Sequence, residues 1–250
     1  IFCFFAKIIY FLTSSVQITF STIGGIATFL IIHYSNLIYE LLTKTRSSYL
    51  SALIFLNPLI WNLGNRYMSD LFGLSLLITT TYFFLSGIHL KIRKQLIIAI
   101  FLVGILSGVR ISFLPFFIPF FLVVFFQSQL NFLKSSIIML AGVMVWMIPL
   151  IFFTGFENLY QISKNHISGH FFKWGGSVIT SDFSLLDRLL KLIESIWADG
   201  MGGFWKGRSP LTIILSIGWI SSIYSFLKTK IAANDKIKIL TNLLIASVLV

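Results

Sequence analysis

GILSGVRISFLP, residues 104–115, is the stretch on which the fold turns. Apolar runs flank it on both sides, and a single arginine, Arg110, interrupts them. If 97–126 is one helix, Arg110 lies inside a membrane crossing. If 96–108 and 112–127 are two short arms, Arg110 sits at a reversal and everything beyond it returns to the original side.

Charge counting separates the two readings. The hairpin puts Lys44, Arg46, Lys91, Arg93, Lys94, Lys134, Lys228, Lys230, Lys236 and Lys238 on one side, with only Arg66 and Arg110 in the short loops of the other. That is ten against two, whereas a single long span gives five against six. Short cytoplasmic loops carry the excess of Lys and Arg, so the hairpin is expected. Its arms are short, which snorkelling and local thinning accommodate, and Pro115 and Pro119 suit a broken helix.

The composition agrees with a membrane setting. Of 250 residues, 57% are hydrophobic, 16% aromatic and only 11% charged, against about one quarter charged in soluble domains. Segments 71–90 and 135–153 approach the roughly 20 apolar residues that cross a bilayer. Further spans are expected near 17–34, 49–63 and 211–227, with partial spans at 1–13 and 237–250. The expected fold is an all-α polytopic transmembrane helical bundle, with transmembrane helices over 1–153, one large extracytoplasmic loop over 154–210 and C-terminal spans over 211–250. Residues 64–70, 109–111 and 154–210 are then extracytoplasmic, at the plasma (inner) membrane if the source is bacterial.

The chain starts at Ile1 and stops within the apolar run LTNLLIASVLV (240–250), so a fragment truncated at both ends is expected. Cys3 is the single cysteine, which leaves no disulfide framework and no Cys-based metal site within the chain. The net charge of +11 is mostly cytoplasmic loop charge, so nucleic acid is not an expected partner.

The polar positions stand out against this background. In NRYMSD (65–70), Ser69 or Asp70 can cap the helix beginning near 71, with the acid favoured by the helix dipole. Alternatively Arg66 and Asp70 line a polar cavity, with Asn65 beside them and Arg66 offered to a lipid phosphate. Arg110, deep between apolar arms, calls for a partner, either a phosphate or Asp70.

The loop holds NHISGHFFKWGGSV (165–178). His166 and His170 are four apart, as in zinc sites, but no HExxH is present, and Gly169, Gly175 and Gly176 argue against a long helix. No metal is assigned. Phe171, Phe172 and Trp174 read as an interfacial aromatic belt or a platform for a sugar ring.

Residues 184–197, SLLDRLLKLIESIW, put Leu185, Leu186, Leu189, Leu190, Ile193, Ile196 and Trp197 on one face and charges on the other. Ser184 and Asp187 fit a capping box. This helix is too short to cross and is expected to lie flat on the membrane. The Gly-rich stretch ADGMGGFWKGRSP (198–210) lacks a phosphate-loop ending. It reads as a loop closing over a substrate, with Lys206 and Arg208 available, or as a plain connector. Gly24 and Gly25 suggest close helix packing.

The order of these features (a span containing NP at 57–58, the turn NRYMSD, the basic loop Lys91–Arg93–Lys94, GILSGVRISFLP and a large outer loop with a flat helix) resembles the multi-spanning GT-C glycosyltransferases. That group includes protein O-mannosyltransferases and bacterial lipid-A or lipopolysaccharide sugar transferases. The resemblance implies a polyprenyl-phosphate sugar donor, an extracytoplasmic site and a lipid, glycan or protein acceptor. It implies donor-phosphate contacts from Arg66 and Arg110, a supporting role for Asp70, and a general base N-terminal to Ile1. No cofactor is assigned, a divalent metal being left open without a residue set to support it. A transporter or flippase for a charged or lipid-linked substrate is the alternative.

Overall fold

The structure, a computed structural model, describes residues 2–46, 48–57, 60, 63–64, 69–126, 130–173, 184–200 and 203–228. The regular elements among them are all helical. The chain divides into two compact units, Ile1–Val145 with Ser221–Val250, and Trp146–Ile220.

The first unit opens with α1 (Phe2–Thr13) and α2 (Val16–Thr43). Ser14 takes a left-handed turn between them, and Ser15 caps α2 by accepting from the Ile18 N–H at 3.4 Å. At 28 residues α2 is longer than the expected 17–34 span; it stops at Lys44, whose left-handed backbone donates back to Glu40 O at 2.8 Å.

Next comes α3 (Ser48–Phe55), which corrects the expected 49–63 span. The helix tightens through Asn57 N–H to Ile54 O at 3.1 Å and ends. Asn57 precedes Pro58, and a residue before proline is disfavoured in the α region.

α4 (Asp70–His89) is packed on two sides. Leu71 buries with Ala27 and Ile31 of α2, and with Ile60, while Phe84 buries with Leu96, Ala99, Ile100, Val103 and Leu106 of α5 (Arg93–Ser107). A helix covered on both sides has no polar face to advertise, and besides Leu71 and Phe84 its buried positions are small or hydroxylated: Gly73, Ser75, Thr79, Thr80, Ser86 and Gly87. Ser75, Thr80 and Ser86 satisfy their hydroxyls on carbonyls of their own helix, at 2.7, 2.7 and 3.2 Å.

The chain reverses at Arg110. A 3-10 segment (Ile111–Phe117, containing Pro115) runs into α6 (Ile118–Phe126). Gly73, near the start of α4, faces Val109, Arg110 and Phe113. Phe84, eleven residues on, stacks with Phe117 and Phe120 at centroid distances of 5.7 and 5.3 Å and meets Phe121 edge-on at 5.5 Å. Segment 111–126 therefore runs alongside α4 in the same direction, which is the hairpin geometry rather than one long helix.

α7 (Phe132–Thr154) meets α5 backbone to backbone. A Cβ on Gly104 would collide with the Met139 carbonyl and lie 2.9 Å from Gly142 Cα; one on Gly142 would collide with the Phe101 carbonyl. Gly24 similarly faces the Gly64 carbonyl, where a Cβ would sit at 3.4 Å, but Gly25 looks onto open space.

Among the described residues, three helices are long and apolar enough to cross a membrane: Val16–Thr43, Asp70–His89 and Phe132–Thr154.

In the second unit α7 gives way to α8 (Phe156–Ser168) at Gly155, whose φ of +79° suits glycine. The helix does not break at Gly169: that residue stays right-handed and a π-turn carries the chain to Lys173. A glycine inside a helix costs only about 1 kcal/mol, and its absent side chain suits a buried position here. α9 (Leu185–Glu194) follows, then a π-turn over Ser195–Gly200, then α10 (Leu211–Lys228).

The Gly104–Gly142 crossing is testable. Gly104→Leu or Gly142→Leu is expected to lower stability by about 1–3 kcal/mol through overpacking, read as a lower thermal midpoint in detergent. Gly25→Ala, facing open space, should leave the midpoint unchanged.

Candidate functional site

The structure brings Asp70 and Arg110 together as an ion pair, Arg110 Nη1 on Asp70 Oδ1. Both owe their positions to helix ends. Ser69 occupies the N-cap position of α4, but its side chain makes no capping bond, contrary to one expected role. Its carbonyl instead accepts from Gly73 N–H at 2.7 Å, closing the first turn. Asp70 is then the first helical residue, where the positive end of the helix dipole favours a carboxylate.

Arg110 lies where α5 stops. Its N–H still reaches Leu106 O at 2.8 Å, but its φ of −152° and ψ of 97° are extended, and this breaks the helix. The side chain then passes Gly73: a Cβ there would stand 3.6 Å from Arg110 Cβ and 3.3 Å from Phe113 Cε2. Phe113 presents its ring 5.6 Å from Arg110 Cζ, a cation–π distance.

Exposure is unequal. The Asp70 side chain is 19% exposed and that of Arg110 42%. A guanidinium has five N–H donors; the Asp70 carboxylate pairs with Nη1 and the Phe113 ring lies beside Cζ. The arrangement is a paired, partly solvated cation at the end of an apolar helix pair. Gly73 and Phe113 were not identified from the sequence; the signal available was their spacing, three residues after Asp70 and Arg110 respectively. Asn65 and Arg66 lie outside the described residues.

The other candidates belong to the second unit. His166 is exposed in the last turn of α8, and His170 lies in the π-turn that follows. Trp174 lies outside the described residues. No group of three His, Cys, Asp or Glu able to hold a metal occurs among the described residues.

Lys206 and Arg208 are exposed on a turn closed by Arg208 N–H to Trp205 O at 3.0 Å, with Gly207 at φ +85°. The segment leading to them is tied down. Trp197 Nε1 donates to Phe204 O at 3.1 Å, Gly203 N–H to Trp197 O at 2.8 Å, and Phe204 N–H to Ser216 Oγ at 2.7 Å. A Cβ on Gly203 would run into the Trp197 indole. Gly203 and Phe204 are thereby tied to Trp197 and Ser216.

The capping box at α9 is present. Ser184 Oγ accepts from Asp187 N–H at 3.2 Å and donates to Asp187 Oδ2 at 2.7 Å. Leu185, Leu186, Leu189, Leu190, Ile193 and Ile196 are all exposed.

Comparison with protein-family models, with curated proteins and with solved structures finds no match.

Two measurements check this geometry. In a double-mutant cycle, Asp70→Asn and Arg110→Gln are each expected to cost about 1–2 kcal/mol, less than a fully buried pair because Arg110 is partly in solvent. The double variant should lose less than the sum. Gly203→Ala is expected to shift tryptophan emission, and that shift should vanish in a Trp197→Phe background.

Proposed function

We propose that this chain is part of a polytopic membrane glycosyltransferase that moves a sugar from a polyprenyl-phosphate donor to a lipid, glycan or protein hydroxyl at the extracytoplasmic face. The observation that carries this reading is the Asp70–Arg110 pair at the ends of two apolar helices, with Arg110 still open to solvent.

The chemistry asks for such a cation. When the sugar leaves a lipid phosphate, negative charge develops on the departing oxygens, and a preorganised donor lowers that barrier. Asp70 and Phe113 keep the guanidinium in place so that little reorganisation is needed at the moment of transfer. Arg66 is the proposed second phosphate contact. His166, His170, Lys206 and Arg208 remain proposed acceptor-side groups. No cofactor enters the proposal.

The alternative, a transporter or flippase, would be favoured by charges spread through the depth of the crossing. The buried polar side chains of α4 are hydroxyls instead, and the ion pair stands at its end.

Arg110→Ala is expected to abolish sugar transfer to the cell's glycolipid or glycoprotein, with Arg110→Lys retaining part of it. Unchanged glycosylation at normal protein level would overturn the phosphate role.

A further inference from the structure

The turn between α4 and α5 carries a feature that sugar transfer does not use. Within six residues, His89 to Lys94, lie His89, Lys91, Arg93 and Lys94, all exposed. None of these four pairs with a carboxylate among the described residues.

The backbone explains how they are displayed. Ile92 N–H bonds to Gly87 O at 3.0 Å and Leu90 N–H to Ser86 O at 2.9 Å, closing α4 in a Schellman-type turn. The left-handed residue of that turn is Lys91, at φ 56°. Glycine is the usual occupant because it has no Cβ to strain. Here a lysine holds the position, as Lys44 does at the end of α2.

Leu90 and Ile92 flank Lys91 and are 53% and 40% exposed. α5 starts at the same point with no side-chain cap, so its first N–H groups add positive partial charge beneath Arg93 and Lys94. The tip thus combines three permanent cations with two apolar side chains, on the end of a helix long and apolar enough to cross a membrane.

We infer that the Leu90–Lys94 tip binds the headgroups of anionic phospholipids, with Leu90 and Ile92 seated at the acyl boundary and Lys91, Arg93 and Lys94 on the phosphates. Basic clusters immediately outside a membrane helix recognise anionic lipid by this electrostatic route. The inference needs a membrane setting but not the glycosyltransferase reading.

The test uses the full chain in nanodiscs of equal phosphatidylglycerol and phosphatidylcholine, with the lipids retained on release counted by native mass spectrometry. The parent is expected to retain phosphatidylglycerol at least about tenfold over phosphatidylcholine, each basic residue contributing about fivefold at most. Raising the salt should shrink the preference, because exposed charges are screened.

The variant K91Q/R93Q/K94Q should bring the ratio near unity. The charge-matched control K134Q/K164Q/K173Q should keep it, with circular dichroism and elution volume confirming the fold of both. Absence of preference in the parent, its survival in K91Q/R93Q/K94Q, or equal loss in the control would each overturn the inference.

Discussion

Close approach of backbone at glycine is the constraint on which this fold depends. In lipid, apolar side chains gain little by leaving one apolar medium for another, so helices associate through packing and small residues at the contacts. Here Gly24 lies against Gly64, Gly73 against Val109, Arg110 and Phe113, Gly87 against Leu96, and Gly104 against Gly142. Each contact joins two segments distant or reversed in sequence, and at Gly87 and Gly104 even one added carbon would displace its neighbours. α4 can be covered by α2 and α5 at once because its buried positions are glycine, serine and threonine as well as Leu71 and Phe84.

The Asp70–Arg110 pair follows from the same packing. Gly73 lets the end of α5 come against the first turn of α4, and Arg110 arrives where Asp70 already sits at the positive end of a helix dipole. Phe113 follows because the 3-10 segment begins immediately afterwards and brings its third residue back across Gly73. Charge stands at the ends of this helix, basic at the α4–α5 turn and paired at the α4 start, while the buried hydroxyls of Ser75, Thr80 and Ser86 bond to carbonyls of their own helix. That division matches the cost of a bare charge within a bilayer.

The second unit is organised by different forces. Its amphipathic helix α9 is fixed at its start by a reciprocal serine–aspartate cap and turns its leucines outward. Trp197 then closes the exit by holding Gly203 and Phe204, and Ser216 of α10 fixes Phe204 from the other side. Glycine has two uses in this stretch: Gly203 makes room for an indole, and Gly207 supplies a positive φ for the turn bearing Lys206 and Arg208.

Local and compositional features were legible in the sequence: the helical class, the apolar runs of α2, α4 and α7, the reversal at Arg110, and the Ser184–Asp187 box. All of these rest on interactions between near neighbours, or on charge totals that need no coordinates. Tertiary structure alone decided which glycines matter, since Gly24 and Gly25 look alike in sequence and only Gly24 meets another backbone. It also chose Asp70 as the residue Arg110 meets, tied Gly203 and Phe204 of the Gly-rich loop to Trp197 and Ser216, and ended α3 at Phe55 rather than carrying it to residue 63. The reason is common to these cases: each depends on which distant backbone comes within a few ångströms, and hydropathy and spacing carry no record of that.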